Sequence, residues 1–465
     1  MLLQKPALYT DLYELTMAQG YFLAGRHHQP AVFDYFFRKI PFSGGYVVFA
    51  GLSDLLQLLK NYTFTTEELE YLSNHGFKRE FIDYLKEFRF TGDVYSVREG
   101  EIVFANEPVV RVQGTILETQ ILETVFLNTL NFESLIATKA SRIKQASKGR
   151  PVLDFGLRRA QGLGGLQASK AAVIGGLEGT SNVLAGQLYG TKISGTMAHS
   201  WIQSFEDEIS AFRIYAKHYP ENTILLVDTY DTLNSGIPNA IKIGKEMEKN
   251  GHKLKAIRLD SGDLAYLARQ SRKLLDRAGL DYVQIAVSNQ LDEYVIKSLL
   301  DQKAPIDLFG VGTKLVTAFD DPALDGVYKL SSINGKPTLK ISDNEEKVTL
   351  PDSKKIIRYL NEDGSFNCDG ILLDTENKIE EIVHPYISHK TTNVERLTPE
   401  ALLTKVVEKG EILASDISIH KSAEYARKRL SELNQEHKRF DNPHIYKVGL
   451  SKKLQKLKSQ LIQNK

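Results

Sequence analysis

Ala256-Ile257-Arg258-Leu259-Asp260-Ser261-Gly262-Asp263 is a short apolar run that ends in charge and then turns. The same design recurs at residues 151–156, 192–196, 224–229, 284–288 and 306–313. Each run is followed by a segment of helical spacing. Spacings of roughly 25 to 40 residues, without a tandem sequence repeat, suit β-α units with a parallel sheet. Six such units in succession predict an α/β barrel, incomplete or lopsided, rather than an open sheet. In barrels of this kind the site is built where the strands end, at their C-terminal tips.

Outward from this core the pattern changes twice. From Thr115 to Lys148 the spacing is helical, with Ile116, Leu117, Ile121, Leu122, Val125, Phe126 and Leu130 on one broad apolar face, which predicts a long packing helix. Before it, Asp11 with Glu14 reads as a capping box that opens a helix through about Ala24, and Thr65 with Glu68 as another. Residues 93–112 alternate in the manner of half-buried strands. After residue 320, Asn334-Gly335 signals a hairpin and residues 361–364 another turn. The expected organisation is an N-terminal α+β domain over 1–115 and a barrel domain over 116–320. A C-terminal region over 321–465 follows, partly returning to the first domain. The basic tail beyond Lys438, with Lys452, Lys453, Lys456 and Lys458, reads as a solvated surface helix.

Composition limits the function classes. The 465 residues carry 59 Lys and Arg against 58 Asp and Glu, a net charge of +1. No global field draws such a chain to nucleic acid or an acidic membrane, so phosphate affinity has to come from a local site. The single cysteine, Cys368, rules out an internal disulfide and a cysteine-rich zinc site. The N-terminus lacks a signal-peptide core, and no apolar run approaches the about 18 residues of a transmembrane helix. A cytoplasmic location is expected.

The strand ends together hold Phe155, Arg158, Arg159, Thr196, His199, Asp228, Arg258, Asp260, Ser261, Gly312 and Thr313. Cations, carboxylates, one histidine, one aromatic and glycine-rich turns suit a phosphorylated sugar together with a flat ring. Each piece has a plainer reading. Gly310-Val311-Gly312-Thr313 presents backbone N–H groups to a phosphate, or is simply a tight β-α turn. Arg258 and Asp260 share one strand face by period two, as a site or as an internal ion pair. Asp228 and Asp231 serve ribose hydroxyls, an Mg²⁺-bound diphosphate or a helix cap. His199, on the turn Gly195-Thr196-Met197-Ala198-His199, is placed to act as a general base or to accept a phosphoryl group.

At these residues the chain resembles nicotinate phosphoribosyltransferases. The resemblance rests on seven ordered stretches: 10–17, 154–162, 179–186, 195–200, 227–232, 258–263 and 309–313. It implies a type II phosphoribosyltransferase fold, with a lopsided barrel beside an N-terminal α/β domain, in a head-to-tail homodimer with shared sites. It implies nicotinate and phosphoribosyl diphosphate as substrates, with Mg²⁺, and ATP hydrolysis through a phosphorylated His199. It assigns Tyr13, Phe155, Ser181, Thr196 and Arg258 to nicotinate, with Tyr13 coming from the partner. Arg158, Asp260, Gly310, Gly312 and Thr313 go to the phosphoribosyl diphosphate, and His199, Asp228 and Asp260 to catalysis. Relatives with a C-terminal cysteine cluster differ from this chain, so no zinc is expected. The nearest rival is a nicotinamide phosphoribosyltransferase, which carries an aspartate at the position of Ser181. Quinolinate phosphoribosyltransferase is a weaker rival, since it is shorter and needs a denser basic pocket. A remoter alternative is a phosphosugar aldolase or isomerase, with Lys192 or Lys314 as its strand-end lysine.

Overall fold

The computed structural model describes residues 6–387, 389–413 and 418–464, so part of the N-terminal stretch searched for a signal peptide lies outside them. Contacts divide the chain into two units, Met1–Thr138 with Ala323–Lys465, and Lys139–Pro322.

The first unit is built on antiparallel sheet. Pro30–Phe37 alternates buried and less buried positions and runs between Gly326–Ile333 and Val110–Thr115. The expected hairpin forms at Asn334 and Gly335, both at positive φ (53° and 73°), with Ile333 paired to Lys336. Two left-handed residues in a two-residue loop match the right-handed twist of the flanking strands, and Asn-Gly tolerates them. A second, six-stranded sheet includes Lys354–Leu360 and Phe366–Leu373, joined through the turn expected at residues 361–364. Its buried Arg358 is paired with Asp369 and Glu101 at 2.6 Å each, and Arg429 reaches the same Glu101 at 2.9 Å. Removing one member of such a buried group leaves a charge without compensation, at about 3–5 kcal/mol.

Helix starts show where local sequence decides and where it does not. Thr65 and Glu68 form their capping box, and so do Thr115 and Glu118. Asp11 and Glu14 do not. The helix Leu12–Leu23 does begin there, but the Asp11 carboxylate accepts from Thr124 and the buried Glu14 accepts from Gln120 at 2.7 Å. Tertiary partners have taken both halves of the box. The apolar stretch after Thr115 forms two helices, Ile116–Gln120 and Glu123–Ala146. The C-terminal helix Lys452–Gln463 is only partly solvated, because Leu454 and Lys458 are buried and Lys458 lies 5.6 Å from the Tyr386 ring.

The second unit carries six parallel strands: β1 (Val152–Asp154), β2 (Gly179–Thr180), β3 (Ile224–Leu226), β4 (Ala256–Leu259), β5 (Gln284–Ser288) and β6 (Leu308–Val311). Their order is β2-β1-β6-β5-β4-β3, extended at β2 by a parallel bridge from Thr180 to Ile193. The run at 192–196 thus contributes a bridge rather than a full strand, and β2 is an additional strand. Strands β1, β4, β5 and β6 are almost wholly buried, as sheets covered on both faces require. Because every strand points the same way, their polar exits gather along one rim.

Candidate active site

Along that rim lies a cleft of about 740 Å³, within the range that small-molecule sites occupy. Its walls include Phe155, Arg158, Ser181, Thr196, His199, Arg258, Asp260, Gly310, Gly312 and Thr313. Seven of the ten lie in the sequence runs at 151–156, 192–196, 256–263 and 306–313, and the runs at 224–229 and 284–288 contribute Leu226 and Ser288.

Arg258 organises the centre. Its Nε donates to Ser288 Oγ at 2.8 Å, Nη1 to Thr196 Oγ1 at 2.8 Å and Nη2 to Asp260 Oδ1 at 2.9 Å. Ser288 in turn donates to Asp260 Oδ1. A guanidinium has five N–H donors, so two remain for a ligand. Its carbon lies 5.5 Å from the centre of the Phe155 ring, at cation–π distance. The ion-pair reading and the site reading of Arg258 and Asp260 therefore describe the same residues, since the pair is internal and also faces the cleft.

Phe155 is seated by glycine. A Cβ on Gly310 would come within 2.4 Å of the Phe155 ring, and one on Gly312 within 3.1 Å of the Phe155 carbonyl oxygen. The glycine-rich turn thus makes room for the aromatic wall. Arg158 and Arg159 stand on the rim and are exposed. Thr313 opens the short helix Thr313–Val316 beside them.

His199 begins the helix His199–Gln203 at the cleft edge, with its side chain 40% exposed. Its Nδ1 lies 3.1 Å from Thr229 Oγ1, and its Nε2 lies 4.0 Å from Asp260 Oδ2. If Nδ1 carries the proton and donates to Thr229, Nε2 is left with a lone pair facing the carboxylate side of the cleft. Asp228 is placed differently. Its Oδ2 accepts from the Asp260 backbone N–H and the Ser261 hydroxyl, both at 2.7 Å, while Oδ1 is buried without a partner. It holds the turn that carries Asp260. Asp231 caps its own turn, accepting from Leu233 and Asn234.

Tyr13 belongs to the first unit, on Leu12–Leu23, and is 46% exposed. Burial of its hydroxyl, then the neighbouring Glu14, push its pKa well above the ordinary tyrosine range. Lys314 is paired with Asp292 and lies 5.1 Å from the Phe319 ring. A lysine so engaged is poorly suited to the Schiff-base chemistry of an aldolase. Asn289 and Gln290 lie outside the runs read from the sequence, and Ser288 and Thr229 only close theirs. The one signal available is Asn289 just past a strand end, a residue that tolerates the left-handed backbone found there (φ 75° at Asn289, 49° at Gln290).

Comparison with known proteins gives a consistent result over nearly the whole chain. Three family models match: nicotinate phosphoribosyltransferase (NAPRTase) N-terminal domain over residues 8–131, the NAPRTase family over 151–365, and the C-terminal domain over 353–458. The nicotinate phosphoribosyltransferase of Bacillus subtilis is 43% identical over 459 residues, covering 96% of this chain and 93% of that protein. The one from Dictyostelium discoideum is 37% identical, covering 96% and 86%. Among solved structures, human nicotinic acid phosphoribosyltransferase aligns with a TM-score of 0.88 at 31% identity, covering 97% of this chain and 99% of that one. A nicotinate-nucleotide pyrophosphorylase from Pyrococcus furiosus aligns at 0.74 and 26%, covering 92% and 96%. Fold, strand-end cleft and sequence agree, and the chain belongs to the nicotinate phosphoribosyltransferase family.

Proposed function

We propose that the cleft joins nicotinate to the ribose of phosphoribosyl diphosphate, and that ATP hydrolysis through His199 assists the reaction. The observation that carries this reading is the Arg258 cluster. A guanidinium fixed by Thr196, Ser288 and Asp260 faces an aromatic wall and keeps two donors free for a carboxylate. The flat ring lies against Phe155, and Arg258 and Ser181 read its substituent. At Ser181 a neutral hydroxyl stands where an acid would repel nicotinate, which disfavours nicotinamide as the substrate.

In the transfer, the bond from the ribose anomeric carbon to the diphosphate oxygen breaks and the ring nitrogen bonds to that carbon. The electron pair leaves with diphosphate, so the protein's task is to position the two reactants and stabilise charge on both sides. Asp260 lies next to the cationic sugar centre that develops. Arg158, Gly312 and Thr313 take the phosphate.

The residues present fit Mg²⁺ held mainly by the substrate. Among the described residues no group of three His, Cys, Asp or Glu forms a cage. Asp228 Oδ1 is a buried, unpartnered carboxylate oxygen, and Asp260 faces the cleft. These two would hold the ion, which supplies neutralisation of diphosphate charge.

His199, with Nε2 unblocked at the cleft edge, serves as the phosphoryl acceptor from ATP. A second copy of the chain completes the site, bringing its exposed Tyr13 to the opposite face of the ring. Exposed apolar residues lining the cleft, Leu157, Val183 and Ile193 at 42–66% exposure, suit cover by another protein surface.

The test is an assay of labelled nicotinate and labelled nicotinamide with phosphoribosyl diphosphate, each with and without ATP. Strong preference for nicotinate, with turnover raised by ATP, is expected. Equal use of both pyridines overturns the reading of the pocket.

A further inference from the structure

We propose that Asp154, together with Thr180, is a positioning pair that sets the cleft's selectivity between pyridine substrates. It does so by tying the Phe155 loop to the Ser181 loop. The inference rests on the reading that the cleft holds a pyridine ring between these loops.

Asp154 ends β1 and is 3% exposed. Its Oδ1 accepts from the Gly156 backbone N–H at 2.8 Å, which fixes the first turn after Phe155. Its Oδ2 accepts from Thr180 Oγ1 at 2.7 Å and from Ser169 Oγ at 2.8 Å. Thr180 ends β2 and is fully buried; its hydroxyl also accepts from the Asn182 backbone N–H at 3.0 Å. Ser181, between Thr180 and Asn182, donates its own backbone N–H to the Asp154 carbonyl at 2.8 Å. One carboxylate thus stands behind both loops and grips each at its root.

All three donors to this carboxylate are neutral. A buried carboxylate satisfied only by neutral groups is costly compared with an apolar residue, and strand pairing alone would join β1 to β2 without it. What the carboxylate adds is a fixed distance between two loop roots. The arrangement has little slack. A Cβ on Gly156 would come within 2.8 Å of Val316 Cβ and 3.0 Å of Asp154 Oδ1, so the Phe155 loop is packed against its anchor from both sides.

Selectivity follows from what each substrate gains. A carboxylate makes charge-assisted hydrogen bonds that are about twice as strong as neutral ones and steep in geometry. Loosening Ser181 relative to Phe155 therefore harms nicotinate more than nicotinamide. A merely structural defect would lower the active fraction for both substrates alike and leave their ratio unchanged.

The experiment compares the ratio of kcat/KM for nicotinate to that for nicotinamide in the full-length protein and in Thr180→Val, Thr180→Ser and Asp154→Asn. Thr180→Val removes the bridge at nearly constant volume, and Thr180→Ser restores the hydroxyl. The expected result is a fall in the ratio of about tenfold for Thr180→Val. Asp154→Asn should fall in the same direction, and Thr180→Ser should stay within about threefold of the unmodified protein. Should Asp154→Asn fail to fold, the two Thr180 variants decide the matter. An unmodified protein without preference for nicotinate overturns the pyridine reading and this inference with it. Preference intact in the unmodified protein and unchanged in Thr180→Val overturns the positioning role alone.

Discussion

Replacing Arg258 by lysine keeps the charge and removes the fork. The guanidinium holds Ser288, Thr196 and Asp260 through three different nitrogens at 2.8–2.9 Å. A single ammonium on a flexible stem reaches one of these partners well, and Asp260 is the electrostatic choice. The fork that offers its two remaining N–H donors to the nicotinate carboxylate is then gone, and charge-assisted hydrogen bonds of this kind are worth about 1.5–3 kcal/mol each. The Arg258 and Asp260 side chains are 15% and 28% exposed, so water replaces part of the loss. A net effect of about 3 kcal/mol follows, or roughly a hundredfold in kcat/KM for nicotinate. Folding should suffer less, because Asp260 keeps a cation and Ser288 keeps its bond to Asp260. The assay is initial rate against nicotinate at saturating phosphoribosyl diphosphate, with a thermal melt run alongside. An Arg258→Lys variant whose kcat/KM stays within about threefold of the parent, at unchanged melting temperature, would refute the claim that fork geometry, and not charge alone, binds the pyridine acid.

Other changes probe different parts of the molecule. His199→Ala should abolish labelling of the protein by γ-labelled ATP and ATP hydrolysis, while a slow ATP-independent transfer persists. Label retained at parent level, stable to base and labile to acid, would place the phosphoryl group on another histidine. Gly310→Ala should displace the Phe155 ring, which an added methyl would approach to 2.4 Å, and raise KM for nicotinate by about tenfold, a clash of this size costing on the order of 1–3 kcal/mol. Co-expressed Tyr13→Ala and His199→Ala chains, purified as verified heterodimers, should regain ATP-stimulated turnover that neither homodimer shows. No recovery would speak against a site shared between copies.

Glu14 gives a pH prediction for stability. Burial, reinforced by Glu123, raises its carboxyl pKa to about 7 from 4.5, although Gln120 opposes the shift. The folded protein therefore holds a proton that the unfolded chain releases above about pH 4.5. The contribution is full below that pH, declines as pH rises towards 7, and amounts to about 3 kcal/mol in all. Glu14→Gln, which cannot ionise, should melt higher than the parent at pH 8 and nearly the same at pH 5. Equal differences at both pH values would exclude this ionisation as the cause.

The barrel was legible because its signal is local. A buried parallel strand is a short apolar run, and a polar exit marks its functional end. Arg258 and Asp260 could be placed on one face by counting alone. Ser288 could not, because a serine closing an apolar run looks like any strand exit. Its meaning comes from Arg258 Nε, 30 residues away in sequence and 2.8 Å away in space. Asp228 shows the opposite limit. It stands at a strand end, but sequence says nothing of direction, and one of its two carboxylate oxygens turns to the backbone beneath Asp260. The failed box at Asp11 has the same origin, since Gln120 and Thr124 compete for groups that local spacing assigns to a helix start.

These cases share a physical logic that bears on how the cleft works. The residues at its centre are committed to one another: Arg258 to three partners, Asp260 to Arg258 and Ser288, Asp154 to both loop roots. Mutual commitment holds geometry at low reorganisation cost, which a reaction limited by alignment and charge needs most. The cations on the rim, Arg158 and Arg159, are exposed instead. On the proposed reading of the cleft, the committed interior meets the flat ring and the exposed rim meets the charged sugar, so rigidity lies where substrate choice is made. Loosening the interior should therefore erode discrimination, while removing rim charge should weaken phosphoribosyl diphosphate binding for either pyridine alike.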